Sequence, residues 1–198
     1  MEIEIIGYSG HSFVVLDTIT NLGMYCLGYY DNMAKVYNPY NLNYLGLEAD
    51  KTSEHPIFIC IGNNRLRRNI REKIKGVKTV SLIDPTSIVS SYSSVSKDSV
   101  YIGRSAIINS NSQIQSGVII NTNSVIEHDC LIGKYSHIAP SATICGNVRI
   151  GENTLVGANS TILPNITIGD NVVIGAGSVV TKDICSNTIV TGNPALKL

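Results

Sequence analysis

The sequence predicts a left-handed parallel β-helix preceded by a small Rossmann-like α/β domain. Three observations carry this reading. From Ile102 to Val180 every sixth residue is isoleucine or valine. Four residues after each stands a small or β-branched residue, from Ala106, Ser112 and Val118 through to Val172, Ser178 and Ile184. The first 80 residues follow neither rule. A six-residue period belongs to neither an α-helix nor an ordinary strand. It is the pattern of short strands coiled into a triangular prism, about 18 residues per coil, with one apolar residue of each hexapeptide stacked inside.

The head, residues 1–80, reads element by element. Glu2–Ile6 is a short apolar strand, and Gly7-Tyr8-Ser9-Gly10-His11 a turn-rich break. Residues 13–22 carry apolar side chains at helical spacing, and Tyr25–Tyr30 is a second strand ending at Asp31-Asn32. Together these make a βαβ opening. Residues 32–55, rich in Asn and Tyr, are expected to have little regular structure. A third strand over 56–61 closes at Gly62-Asn63-Asn64, and a cation-rich helix over 65–75 follows, its arginines expected on a solvated face.

The prism, residues 81–198, starts before Ile102, because Ile83, Val89 and Val95 keep the same spacing. The seven-residue step from Val95 to Ile102 implies one inserted residue at a corner. About 17 hexapeptides then make close to six coils. Asn and Gly crowd the corners, for example Asn109, Asn111, Asn121, Asn123, Gly133 and Gly151, as residues that tolerate positive φ at low cost.

Composition excludes several classes. Lys+Arg and Asp+Glu both number 15, so no charge excess invites nucleic acid or an anionic membrane. The N-terminus lacks a cationic stretch before an apolar run, and no apolar segment reaches the roughly 18–20 residues that span a bilayer. The five cysteines, Cys26, Cys60, Cys130, Cys145 and Cys185, are odd in number and never CxxC-spaced. A cytoplasmic protein with reduced thiols is the expectation, with no metal site. Cys130 falls on an inward step and is expected in the core.

One outward residue stands out for chemistry. In Ile126-Glu127-His128-Asp129-Cys130 the inward pair is Ile126 and Cys130, so His128 projects from the wall. Glu127 and Asp129 flank it and can fix its tautomer and raise its basicity. Gly146 lies one coil above, where its N–H can face an oxyanion. His137, half a coil on, should face another side of the prism, so that the two histidines meet only across a subunit interface. In the head, Gly7-Tyr8-Ser9-Gly10-His11 should present backbone N–H groups at a helix N-terminus, a cradle for pyrophosphate. It lacks the full G-x-G-x-x-G fingerprint, which disfavours a tight NAD site.

These features occur together: the βαβ head with Gly-Tyr-Ser-Gly-His, Ile61-Gly62-Asn63-Asn64 before an Arg-rich helix, residues 121–130 as Asn-Thr-Asn-Ser-Val-Ile-Glu-His-Asp-Cys, and the tail Gly192-Asn193-Pro194-Ala195. In this combination the chain resembles the sugar O/N-acyltransferases that include UDP-N-acetylbacillosamine N-acetyltransferase and sialic acid O-acetyltransferase. The resemblance covers nearly the whole chain and is weakest over 32–55.

It implies an acetyl-CoA-dependent homotrimer with active sites between subunits, acting on the amino group of a UDP-linked 4-amino-4,6-dideoxy sugar without an acyl-enzyme. His128 is then the general base, and Asp129 its carboxylate partner, where the bacillosamine enzyme has Glu. His137, Ala158 and Ala176 match positions lining the CoA site. Ser9, Gly10 and His11 would approach the phosphates or sugar, Asp31 and Asn32 the uridine, with Gly62 close by and Asn121 on the substrate. An O-acetyltransferase of the sialic acid type, an enzyme preferring dTDP- or GDP-sugars and a non-catalytic β-helix scaffold remain the alternatives.

Overall fold

The structure is a computed structural model that describes residues 1–47, 54–74 and 76–198. The part of the 32–55 stretch spanning 48–53, and residue 75 of the expected second helix, lie outside the described residues.

The head is a parallel sheet of order β3-β2-β1-β4, made from β1 (Glu2–Ile6), β2 (Tyr25–Tyr30), β3 (Asn43–Gly46) and β4 (Ile57–Ile59). The strand β3 is a departure from the irregular segment expected there: residues 43–46 pair with β2 as an edge strand, Gly28 opposite Asn43. Tyrosines hold this arm. The Tyr8 hydroxyl donates to Asn38 Oδ1 at 2.7 Å, the Tyr40 hydroxyl to Asp17 at 2.9 Å, and the Tyr8 ring stacks on Tyr29 at 4.4 Å. The masking of the strand signal follows, because the side chains of Asn43 and Tyr44 are exposed and carry no apolar alternation.

Helix α1 (Gly10–Asn21) covers one face of the sheet and α2 (Asn64–Lys73) the other. Val15, Leu16 and Ile19 of α1 share a core with Ile3 and Ile5 of the sheet and with Leu82, Tyr101 and Ile119 of the prism wall. Helix α1 is therefore packed between two layers, and this fixes the head against the prism.

The prism is a left-handed parallel β-helix whose two-residue strands form three walls. The first wall runs through Tyr101–Ile102, Ile119–Ile120, His137–Ile138, Leu155–Val156 and Val173–Ile174. The second runs through Ile107–Ile108, Val125–Ile126, Thr143–Ile144, Thr161–Ile162 and Val179–Val180. The third runs through Gln113–Ile114, Leu131–Ile132, Arg149–Ile150 and Thr167–Ile168. Inward residues such as Ile108, Ile120, Ile132 and Ile144 are fully buried. The inserted residue is absorbed in the corner after Ser94–Val95, and the register of both flanking walls continues through it.

Each corner divides its labour between two steps. The third residue takes the left-handed conformation, as at Asn111, Asn123, Asp129 and Asn147, all with φ between 54° and 64°. The first residue does not, so the glycines at 133 and 151 are not there for positive φ, contrary to the sequence reading. They are there for clearance: a Cβ on Gly133 would lie 2.5 Å from the carbonyl carbon of Gly151 in the next coil. Buried hydroxyls serve the same stacking. Ser136 Oγ donates to the Gly151 carbonyl at 2.7 Å and Ser112 Oγ to the Glu127 carbonyl at 2.6 Å.

Candidate active site

Two groups of candidate residues occupy opposite edges of the second wall. His128, Asp129 and Gly146 lie on the corner between the second and third walls. Asn121, Ala158 and Ala176 lie on the corner between the first and second. His137 projects from the first wall beside that latter edge, so the two prism histidines do face different sides.

On the first edge, His128 Nδ1 is 2.8 Å from Asp129 Oδ2. A carboxylate only accepts, so it holds the ring proton on Nδ1 and leaves the Nε2 lone pair free. The bonds from His128 and from Asn111 hold the Asp129 carboxyl below its usual range. Glu127 does not share this work, a correction to the paired flank read from sequence. Its Oε2 accepts from Asn109 Nδ2 at 3.0 Å, one coil below. Successive residues at a corner point apart, and only the residue held at positive φ turns back to the ring. Gly146 meets the imidazole directly: a Cβ there would lie 2.7 Å from both Cε1 and Nε2 of His128. Among the described residues no acceptor meets the Gly146 amide, whereas the next amide, Asn147, donates to the His128 carbonyl at 2.9 Å.

The head encloses a cavity of about 630 Å³. Ser9, Asp31, Asn32 and Gly62 line it together with Gly7, Tyr8, Lys35 and Asn63, while Ile6, Ile61, Leu66 and Ile70 make an apolar side. The Asp31 carboxylate is already engaged by the Tyr8 amide at 3.0 Å, the Asn32 amide at 2.8 Å and Lys35 Nζ at 2.8 Å. It therefore braces the glycine-rich turn and holds a cation at the rim. Gly10 and His11 are not among the residues that line the cavity. The His11 ring faces the prism, edge-on to Tyr101 and 6.3 Å from the His137 ring. Its buried Nε2 has no hydrogen-bond partner among the described residues, and burial lowers its pKa to about 4.

Sequence reasoning missed the group that joins the cavity to the prism. Arg67 of α2 is fully buried rather than on a solvated face. It donates to the carbonyls of Gly117 (2.8 Å), Ile61 (2.9 Å), Gly62 (3.1 Å) and Tyr135 (2.6 Å) and to Asn64 Oδ1 (3.0 Å). The signal was present in the helix period: Arg67, Ile70 and Ile74 fall at i, i+3 and i+7 and share the buried face. Desolvation lowers the Arg67 pKa to about 9, still protonated at neutral pH. His137 sits next to it. Its Nδ1 donates to the Gly62 carbonyl at 3.3 Å, so its Nε2 accepts from Asn121 Nδ2 at 3.1 Å. Burial, with the Arg67 charge nearby, lowers the His137 pKa to about 3. Gly62, His137 and Asn121 thus run contact by contact from the cavity to the corner between the first and second walls.

Among the described residues no group of three His, Cys, Asp or Glu side chains is placed to hold a metal, all five cysteines are free thiols, and no helix is long and apolar enough to cross a membrane.

Comparison with known proteins matches residues 2–74 to the PglD N-terminal domain. Segments within 111–182 match the bacterial transferase hexapeptide (six repeats). Among solved structures, the acetyltransferase domain of PglB from Neisseria gonorrhoeae FA1090, in complex with acetyl coenzyme A, is 30% identical with a TM-score of 0.92, the match covering 100% of this chain and 98% of that one. A mutant of perosamine N-acetyltransferase from Caulobacter crescentus, in complex with CoA and GDP-perosamine, is 27% identical with a TM-score of 0.93, covering 100% and 97%. WeeI from Acinetobacter baumannii AYE shares the fold at 22% identity, a TM-score of 0.91 and full coverage of both chains. The chain belongs to the sugar acyltransferase family of left-handed β-helix enzymes with a PglD-type head, and it is an acetyltransferase.

Proposed function

We propose that this protein transfers acetyl from acetyl-CoA to the 4-amino group of a UDP-linked 4-amino-4,6-dideoxy sugar, in bacterial glycan precursor biosynthesis in the cytoplasm. The observation that carries the reading is the Asp129–His128–Gly146 arrangement: a histidine with Nε2 free, its Nδ1 2.8 Å from a carboxylate, and packed against its ring a glycine whose amide meets no acceptor among the described residues. The sugar amine attacks the thioester carbonyl directly. His128 Nε2 takes the proton from the attacking nitrogen, and the Gly146 N–H meets the oxyanion of the tetrahedral intermediate. Collapse expels the CoA thiolate, which recovers the proton from the imidazolium. The head cavity holds the nucleotide, with Ser9 and Lys35 toward the phosphates and Asn32 toward the base. Gly10 and His11, outside its lining, steady the turn, and the His11 ring lies on the His137 side, where the sugar would pass toward the prism.

The separation of the two edges supports a homotrimer. In a head-to-tail ring, the His128 edge of one second wall meets the Asn121, Ala158 and Ala176 edge of the next. CoA then lies along Ala158, Ala176 and His137 of one subunit, facing His128 of its neighbour. The outward row of the second wall suits such contact, for Ile107, Val125, Thr143, Thr161 and Val179 are small or apolar and uncharged.

Thiol release from acetyl-CoA, measured with UDP-, dTDP- and GDP-linked 4-amino sugars and with free sialic acid, tests the reading. Release with the UDP-amino sugar is expected. Release with sialic acid alone would transfer the assignment to O-acetylation, and no release with any acceptor would overturn it. His128→Ala should lower kcat about 10²–10⁴-fold with the trimer intact by light scattering.

A further inference from the structure

We infer that Asn111 is a positioning residue for His128, acting through Asp129 from the coil below; this rests on His128 being the base. Asn111 and Asp129 occupy the same corner step one coil apart, with φ of 62° and 61°. Asn111 Nδ2 donates to Asp129 Oδ1 at 3.3 Å, and the other oxygen of that carboxylate, Oδ2, takes His128 Nδ1 at 2.8 Å. Each oxygen thus has its own donor, so rotation of the carboxylate about its χ2 bond is fixed from one side by the amide and from the other by the ring. The Asp129 amide is also tied down, donating to the Ser110 carbonyl at 3.0 Å.

Similar rungs elsewhere in the prism end on neutral groups. Asn147 donates to Asn165 Oδ1 at 2.9 Å, Asn153 to Asn171 Oδ1 at 2.8 Å and Asn123 to Ser141 Oγ at 3.2 Å. Those contacts join coil to coil and go no further. The rung at Asn111 ends on a carboxylate that itself holds an imidazole. The parallel rung from Asn109 engages Glu127, so the second carboxylate at the corner is kept from competing for the ring. One corner of the coil below the site therefore supplies both amides that sort the two acids.

The test is Asn111→Gly, which keeps the positive φ and removes only the amide. Loss of one hydrogen bond to a charged partner should lower kcat about 3- to 10-fold, with KM for acetyl-CoA and for the nucleotide sugar unchanged. Asn153→Gly removes an equivalent rung on the corner between the third and first walls and should leave kcat unchanged. In an Asp129→Gly background, Asn111→Gly should cause no further loss, because its effect runs through the missing carboxylate. Additive losses, or an Asn111→Gly enzyme indistinguishable from Asn153→Gly, would overturn the inference. Failure of the base assignment reads differently: His128→Ala or Asp129→Gly would then be near-normal. A defective Asp129→Gly beside a normal Asn111→Gly overturns this inference alone.

Discussion

Gly146 sits against the face of the His128 ring so closely that a single methyl group has no room, with 2.7 Å to Nε2 and Cε1. The two residues are 18 apart, which is one coil. Gly146→Ala must therefore swing the imidazole off its position, and His128, with 62% of its side chain exposed, can swing without disturbing the core. Misplacing a catalytic group by about 1 Å costs on the order of 10²-fold. Gly146→Ala is expected to lose about that much kcat while its melting temperature stays within a few degrees of the parent. Unimpaired turnover would show that the ring position does not matter.

Arg67 makes the opposite trade, being structural first. Its guanidinium satisfies carbonyls from the head and from the prism with no carboxylate among its partners. Replacing it by Met leaves those buried carbonyls unpaired, at about 1–3 kcal/mol for each that finds no other donor. Arg67→Met should lower the urea midpoint correspondingly and loosen the Gly62 turn. Arg67→Lys keeps the charge but not the fork and should fall between. A loss of unfolding free energy below about 1 kcal/mol for Arg67→Met would mean that solvent replaces the lost donors.

Periodicity made most of the fold legible in sequence. The ladder from Ile102 to Val180 fixed which residues face inward, and by subtraction placed His128 outside and Gly146 above it. It could not tell Glu127 from Asp129, because that choice depends on the backbone conformation of one corner step and on an amide from the coil below. Arg67 was hidden for a different reason. Charged residues are almost never fully buried unless paired, and its partners are main-chain carbonyls from distant segments, which a sequence does not display. Lys35 likewise gained its place from a folded arm whose edge strand carries no apolar pattern.

Two buried histidines set an acid limit on stability. His11 and His137 titrate near 4 and 3 in the folded chain against an ordinary value near 6.5. Between those values the unfolded chain takes up protons that the folded chain refuses, so stability is full above pH 6.5 and falls as pH drops toward 4. The slope per histidine is at most about 1.4 kcal/mol per pH unit. His11→Phe removes one such group while keeping the edge-on contact with Tyr101 and the buried volume. Urea unfolding at pH 7.5 and pH 5 should show a smaller acid loss for His11→Phe than for the parent. Equal losses would place the proton uptake elsewhere.

Among the described residues Lys35 is the cation lining the cavity, held at 2.8 Å by the Asp31 carboxylate that also accepts from the Tyr8 amide. A diphosphate entering the cavity brings two negative charges, and the pair can open toward it without leaving Asp31 unsatisfied, since two backbone amides remain on that carboxylate. Lys35→Met preserves the length of the stem and removes the charge. Because Lys35 is remote from His128 within the chain, the loss should fall on binding in ground state and transition state alike. An increase of about 3- to 10-fold in KM for the nucleotide sugar is expected, with kcat and KM for acetyl-CoA unchanged. The increase should shrink at 0.5 M salt as screening takes over the parent's advantage. A fall in kcat with unchanged KM would instead place Lys35 in the chemical step, and with it the phosphates at the reacting end of the substrate.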